Sequence, residues 1–175
     1  KPVPMASLAK VMAAILIIEE QELKLGDQGS NITITKADET LYEKYILKDG
    51  VVHLIKQGQS ISQLEALQAM LISSSNNIAD TAVINNYGTI DNYLELANRK
   101  ATELGMSNTA YADVTGFSPE SKSTAEDLIK LSEYAMNNPV FADIVSTWKV
   151  KISGNIELTN SNSFLDFENN GVIGL

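Results

Sequence analysis

Ser7 and Lys10 stand three residues apart in the stretch PMASLAKVMAAILIIEE, directly before eight consecutive apolar residues, Val11 to Ile18. Positions three apart share one face of a helix, so the serine hydroxyl and the lysine amine can touch. Apolar surroundings favour the neutral form of an amine and lower its pKa. A neutral amine can take the proton of a neighbouring hydroxyl, and a helix start can stabilise an oxyanion. Ser7 and Lys10 are therefore candidates for a nucleophile and its general base.

The same pair also has a purely structural interpretation, in which Ser7 caps the helix and the lysine reaches out to water. The spacing Ser-x-x-Lys is a weak signal, because Ser146 and Lys149 match it as well. That second pair does not precede an apolar helix, so nothing predicts a lowered pKa for Lys149. The context therefore favours the first pair, whereas the spacing alone would not.

A second polar cluster, LISSSNNIAD, places Ser74 and Asn76 two residues apart where a loop leads into a helix. A hydroxyl near the nucleophile could pass a proton to a leaving group, and an amide could hold a substrate carbonyl. Serine and asparagine are also preferred helix-capping residues, which is the structural alternative. Ser153 and Asn155 repeat the spacing, but the intervening glycine predicts a hairpin turn there.

Helices must position these residues. We expect a deeply buried helix from residue 7 to about 24, and further helices over SISQLEALQAMLI, IADTAVINNYG, TIDNYLELANRKATELG and PVFADIVST. A capping box of Ser123 and Glu126 is predicted to begin the helix STAEDLIKLSEYAMNN. NITIT and the two halves of KVKISGNIELTN are predicted to be short strands. Residues 36–59 give no clear prediction.

The composition excludes several classes of function. The 175 residues carry 44% apolar residues and a net charge of −9, which describes one domain without the basic face that a nucleic-acid partner requires. There is no cysteine, and the single histidine, His53, lacks clustered acids, so we predict neither a metal nor a cofactor. We expect a structural role for His53. The opening apolar run is too short to span a bilayer, which takes roughly 20 residues.

With these motifs, the chain resembles the low-molecular-mass penicillin-binding proteins, the serine-type D-alanyl-D-alanine carboxypeptidases. PMASLAK resembles their nucleophile motif, and SSN at 74–76 resembles their Ser-x-Asn motif. LGMSNTAYADVTGF followed by STAEDLIKLSEYA is similar to a longer block that is characteristic of the family. NPVFADIVST and NSNSFL…GVIGL continue the resemblance in the same order.

The resemblance implies the α+β fold of penicillin-binding proteins and serine β-lactamases, with helices on both sides of an antiparallel sheet. It implies that Ser7 attacks the penultimate D-alanine carbonyl of a peptidoglycan stem peptide, with Lys10 as general base and water releasing the acyl-enzyme. Ser74 would relay a proton to the departing D-alanine, and Asn76 would hold the substrate's amide. β-Lactams would acylate Ser7 as substrate mimics. The resemblance also implies a bacterial protein that acts outside the cytoplasmic membrane.

The chain departs from the family in three places. Ala9 stands where the family usually has threonine, residues 36–59 fit poorly, and the Lys-Thr-Gly element that normally follows a stretch like GVIGL is absent from the sequence. We therefore expect residues 1–175 to be a helix-rich, partial carboxypeptidase domain that lacks much of the sheet and is inactive alone. Lys-Thr-Gly and any membrane anchor would lie outside it. Exposed apolar faces would make such a fragment unstable or pair it with another chain.

Two other functions stay open. A class A-like β-lactamase would need a deacylating glutamate, and Glu95 in LELAN lies inside a predicted helix, which is the wrong context. A non-catalytic peptidoglycan- or penicillin-binding homologue would keep the scaffold without turnover. The residues that follow Leu175 in the gene would separate these possibilities.

Overall fold

The structure, a computed structural model, describes residues 1–166, so the GVIGL segment lies outside the described residues. This part of the chain is helix-rich with little sheet, as predicted. Its helices are α1 (Ala9–Glu20), α2 (Lys36–Ile46), α3 (Gln63–Ile72), α4 (Asn76–Tyr87), α5 (Ile90–Glu103), α6 (Ala125–Met136) and α7 (Pro139–Ser146). None of the helices in residues 1–166 is long and apolar enough to cross a membrane.

The strands form three short antiparallel pairs. β1 (Val3–Pro4) pairs with β4 (Lys122–Ser123), β2 (Asn31–Thr33) with β3 (Ser60–Ser62), and β5 (Lys149–Ile152) with β6 (Ile156–Thr159). The strands predicted in NITIT and KVKISGNIELTN are confirmed, although β2 ends two residues early. Within residues 1–166 the three pairs are separate two-stranded sheets.

α1 is the central helix and contacts α3, α4, α5, α6 and α7. Its sequence has no polar face after Lys10 until Glu19, so every side of it must be buried. The helix ends at Glu20, earlier than predicted. Glu22 adopts a left-handed conformation (φ 48°), and the N–H of Leu23 bonds back to the carbonyl of Ile18 at 3.1 Å. This Schellman-type ending buries Leu23 against the core.

Residues 36–59, which gave no clear prediction, form α2 and the loop that follows it. Thr35 caps α2, and the carboxylate of Asp38 accepts the backbone N–H of Thr35 at 2.8 Å. Tyr45 is the buried side chain of this helix. With so few buried positions, α2 has little apolar periodicity, which explains why the sequence pattern did not reveal it. α2 packs against α4.

The capping box predicted for Ser123 and Glu126 is wrong by one residue. Thr124 is the N-cap of α6, and its hydroxyl accepts the N–H of Asp127 at 3.3 Å. Ser123 belongs to β4, where it pairs with Val3. The helix therefore begins one position later than predicted.

Candidate active site

Ser7, Lys10 and Ser74 form a closed triangle of hydrogen bonds. Nζ of Lys10 donates to Oγ of Ser7 at 3.1 Å and to Oγ of Ser74 at 3.2 Å. The Ser74 hydroxyl donates to Oγ of Ser7 at 2.9 Å. Lys10 is 1% exposed, whereas Ser7 is exposed. The contact expected from the helical spacing is thus present, and the two polar clusters of the sequence meet in one place.

Ser7 lies in a 3₁₀ turn, Ala6–Leu8, that leads into α1. Ala6, directly before it, has a left-handed conformation with φ 49°. Gly116 lies against this turn so closely that an added Cβ would come within 1.7 Å of the Ala6 carbonyl oxygen. Glycine is therefore required at 116. Ser74 is also left-handed (φ 62°), and such backbone strain is common at functional sites.

The third proton of the Lys10 ammonium goes to the carbonyl oxygen of Thr115 at 3.2 Å. This carbonyl belongs to a loop, residues 113–118, that folds around the carboxylate of Asp113. That carboxylate accepts the N–H groups of Phe117 at 2.7 Å and Ser118 at 3.1 Å. This loop lies within LGMSNTAYADVTGF, and the sequence pattern predicts no role for it. The glycine at 116 is the sequence feature that could have revealed it.

Burial lowers the pKa of Lys10 from 10.5 to about 8, because the ammonium loses its hydration. The negative charges of Asp113 and Asp80 act in the opposite direction and raise this pKa. The direction agrees with the prediction made from the apolar neighbours. The resulting amine can both accept and return a proton near neutral pH.

Asn76 lies outside the triangle, as the first residue of α4. It is 5% exposed, and its backbone N–H donates to the carbonyl of Val51 at 2.8 Å. Within residues 1–166, no hydrogen bond holds its side chain. The neighbouring Asn77 instead binds both the N–H (3.1 Å) and the carbonyl (2.9 Å) of His53. His53 is thus part of a loop anchor, and its burial lowers its pKa.

An open cleft of about 410 Å³ begins at the triangle. Besides Ser7, Lys10 and Ser74, its walls are mainly apolar: Met5, Leu8, Val11, Met70, Leu71, Phe141 and Val145. A substrate in this cleft would reach the exposed Ser7 hydroxyl directly. Among residues 1–166, no group of three or more histidine or carboxylate side chains could hold a metal ion.

The second copies of Ser-x-x-Lys and Ser-x-Asn lie in ordinary structural elements. Ser146 ends α7 and donates to the carbonyl of Asp143 at 2.9 Å, whereas Lys149 is exposed in β5. Ser153 lies in the turn between β5 and β6, as predicted, and its hydroxyl donates to Glu65 at 2.9 Å. The structure therefore distinguishes the pair at 7 and 10 from its copy.

Comparison with known proteins finds relatives that are all described as D-alanyl-D-alanine peptidases. A family model described as D-alanyl-D-alanine carboxypeptidase, peptidase S11, matches residues 1–175. A D-alanyl-D-alanine endopeptidase from Pseudomonas aeruginosa is 30% identical over 167 residues, which cover 95% of this chain and 49% of that protein. A D-alanyl-D-alanine carboxypeptidase from Mycobacterium tuberculosis is 30% identical over 146 residues, 82% of this chain and 46% of that protein.

A solved structure agrees with these relatives. The crystal structure of a D-alanyl-D-alanine carboxypeptidase from Mycobacterium tuberculosis H37Rv matches with a TM-score of 0.80 and 27% sequence identity. The match covers 95% of this chain and 60% of that one. The predicted fold class is therefore confirmed. The chain spans about half the length of the curated relatives it matches.

Proposed function

Because the chain belongs to the peptidase S11 family of D-alanyl-D-alanine carboxypeptidases, we propose that the full-length protein is a serine DD-carboxypeptidase. It removes the terminal D-alanine from peptidoglycan stem peptides. The observation that carries this proposal is the triangle of Ser7, Lys10 and Ser74 at the mouth of an open cleft. Since its substrate is cell-wall material, the protein acts outside the cytoplasmic membrane.

In the acylation step, neutral Lys10 takes the proton of Ser7 while the serine oxygen attacks the carbonyl carbon between the two D-alanines. The Nζ–Oγ distance of 3.1 Å is within reach for this transfer. Ser74, which is 3.2 Å from the amine, then passes a proton to the nitrogen of the departing D-alanine. Water hydrolyses the ester, releases the shortened peptide and restores the Ser7 hydroxyl.

Asn76 binds the substrate's amide in this proposal. Asn76 follows Ser74 by two residues at the start of α4, as in the family's Ser-x-Asn motif, and this spacing supports the role. β-Lactams offer a carbonyl of the same kind, and attack by Ser7 opens their ring and leaves an acyl-enzyme. Peptidoglycan and β-lactams are thus the proposed partners.

The geometry favours a peptidase over a class A-like β-lactamase. Glu95, the glutamate considered for deacylation, is exposed on α5. Asp113 is closer to the site, but its oxygens accept hydrogen bonds from its own loop. Within residues 1–166, no carboxylate hydrogen-bonds to Ser7. Slow release of a bound penicillin is therefore part of the proposal, as expected of a penicillin-binding protein.

Cleavage of cross-linked peptides is a second candidate, because the relative from Pseudomonas aeruginosa is named an endopeptidase. The two activities use the same nucleophile and differ in which D-alanine bond is cut. Incubation of the full-length protein with a stem pentapeptide and with a cross-linked dimer separates them. Release of free D-alanine supports the carboxypeptidase, and conversion of dimer to monomer supports the endopeptidase.

A fluorescent penicillin tests the proposed site. Full-length protein is expected to form one covalent adduct per chain, and Ser7→Ala is expected to abolish it. Ser146→Ala is the matched control, because Ser146 has the same spacing to a lysine but lies at the end of α7. Labelling that survives Ser7→Ala would refute the assignment of the nucleophile.

A further inference from the structure

Asp80 is a buried carboxylate close to the active site for which the proposed reaction has no role. It lies in α4 and is 2% exposed. The Tyr45 hydroxyl donates to its Oδ2 at 2.8 Å, and Nζ of Lys44 lies 3.5 Å from the same oxygen. The Tyr45 hydroxyl is also 3.4 Å from Oγ1 of Thr115. The carbonyl of Thr115 accepts a hydrogen bond from Lys10, so the polar contacts run from Asp80 to the amine.

The burial of this carboxylate calls for a positive counter-charge. A buried charge is costly unless it is paired, and the side chain of Lys44 is 43% exposed at a distance of 3.5 Å. Such a half-exposed ammonium is partly screened by water and compensates only part of the buried charge. Lys10 is also a buried cation, and Tyr45 and Thr115 connect it to Asp80.

We propose that Asp80 is a positioning residue for Lys10. Its charge, anchored by Tyr45, holds the protonated amine in the triangle and limits the fraction of amine that is neutral at rest. When Ser7 gives up its proton, the ammonium that forms is the species that Asp80 stabilises. Asp80 therefore lowers the fraction of Lys10 that is neutral, but it makes the proton transfer from Ser7 to Lys10 more favourable.

The groups that face Asp80 come from each element packed around it. They are Lys44 and Tyr45 from α2, Lys10 from α1, Tyr93 from α5, and Asp113 from the loop. Asp80 and Asp113 both favour the charged form of Lys10. Removing Asp113 would also remove the hydrogen bonds that hold its loop together. Asp80 is hence the carboxylate whose charge can be removed with the active-site loop left in place.

The titration of Lys10 measures this effect directly. Full-length protein labelled with ¹³C at lysine Cε is titrated by NMR, and the Lys10 signal is identified by its loss in Lys10→Arg. The expected midpoint is about 8 in the unaltered protein. Asp80→Asn is expected to lower it by about 0.5–1 pH unit. Asp91→Asn, which removes an exposed carboxylate from the first turn of α5, is the matched control and should move it by less than about 0.2.

A second variant keeps the test decisive if Asp80→Asn does not fold. Lys44→Gln removes a half-exposed cation beside Asp80, so the midpoint of Lys10 should rise by roughly 0.2 pH unit or more. An unchanged midpoint in folded Asp80→Asn overturns the inference. If Asp80→Asn is unfolded, an unchanged midpoint in Lys44→Gln overturns it.

The rate of penicillin labelling as a function of pH connects this effect to the reaction. Asp80→Asn should move the acidic limb of the profile to lower pH, because more of the amine is then neutral. A merely structural role would lower the rate at every pH and leave the midpoint in place. The consequence for the rate rests on the proposed function, whereas the NMR titration does not. A shifted Lys10 midpoint in a protein that penicillin never labels would refute the function and keep the inference.

Discussion

Replacing Gly116 with alanine will test how the turn that carries Ser7 is held. Gly116 has φ +70°, and a Cβ at this position would lie 1.7 Å from the carbonyl oxygen of Ala6 and 2.4 Å from its carbonyl carbon. Cβ atoms essentially never come closer than 3.0 Å to another heavy atom, so the two backbones must separate by about 1.3 Å, from 1.7 to 3.0 Å. Because Ala6 directly precedes Ser7, that displacement reaches the nucleophile.

The expected magnitude has two parts. A left-handed alanine costs about 1–2 kcal/mol of stability, and forcing packed backbone apart costs about 1–3 kcal/mol more. Gly116→Ala should therefore lower the free energy of unfolding by about 2–5 kcal/mol. A misplacement of about 1 Å can reduce a reaction rate by about 10²-fold. We expect a loss of that order in the rate of penicillin labelling.

Gly105→Ala is the matched control. Gly105 has φ +69°, nearly the same as Gly116, but an added Cβ there meets nothing within 4 Å. It should lose about 1–2 kcal/mol in urea unfolding and keep its labelling rate. The reasoning is refuted if folded Gly116→Ala is labelled at the original rate. It is refuted equally if the two variants lose the same stability.

Three further results are expected. The rate of penicillin labelling should rise with pH through a midpoint of about 8 and then level off, since the neutral form of Lys10 is the base; a flat profile between about pH 6 and pH 9 would contradict this. Asn77→Ala should lower the free energy of unfolding in urea by about 2–3 kcal/mol, because the backbone N–H and carbonyl of His53 both lose their partner. A decrease below about 0.5 kcal/mol would disprove that anchor. Thr124→Ala should lower the free energy of unfolding by about 1 kcal/mol, whereas Glu126→Gln should change it by less than about 0.5 kcal/mol. The reverse order would support the capping box of Ser123 and Glu126 instead.

Local features of this fold could be predicted from the sequence. The contact of Ser7 with Lys10 depends on three residues of separation, and the burial of α1 follows from an apolar run with no polar face. The hairpin of β5 and β6 was likewise indicated by its central glycine. In each case neighbouring residues in the chain decide the structure, so the pattern is visible without knowledge of the fold.

Features that depend on distant segments could not be predicted. Two contacts of the active site involve residues more than a hundred positions apart in the chain: Lys10 with the carbonyl of Thr115, and Ala6 with Gly116. A backbone carbonyl cannot be identified as functional from the sequence, since every residue has one. Asp80 stood in a helix that was predicted correctly, but its partner Tyr45 lies on α2, which the pattern did not reveal. The charge environment of Lys10 was therefore hidden even though the lysine was identified.

The surroundings of Lys10 explain how a buried amine can work as a base near neutral pH. Burial alone would favour the neutral form strongly, but the ammonium's three protons have three acceptors: Ser7, Ser74 and Thr115. With the opposing field of Asp80 and Asp113, the pKa settles at about 8, so about a tenth of the amine is neutral at pH 7. The contacts that point the amine at Ser7 are thus also those that moderate its acidity. Any substitution that removes one acceptor must change the orientation and the titration of Lys10 together.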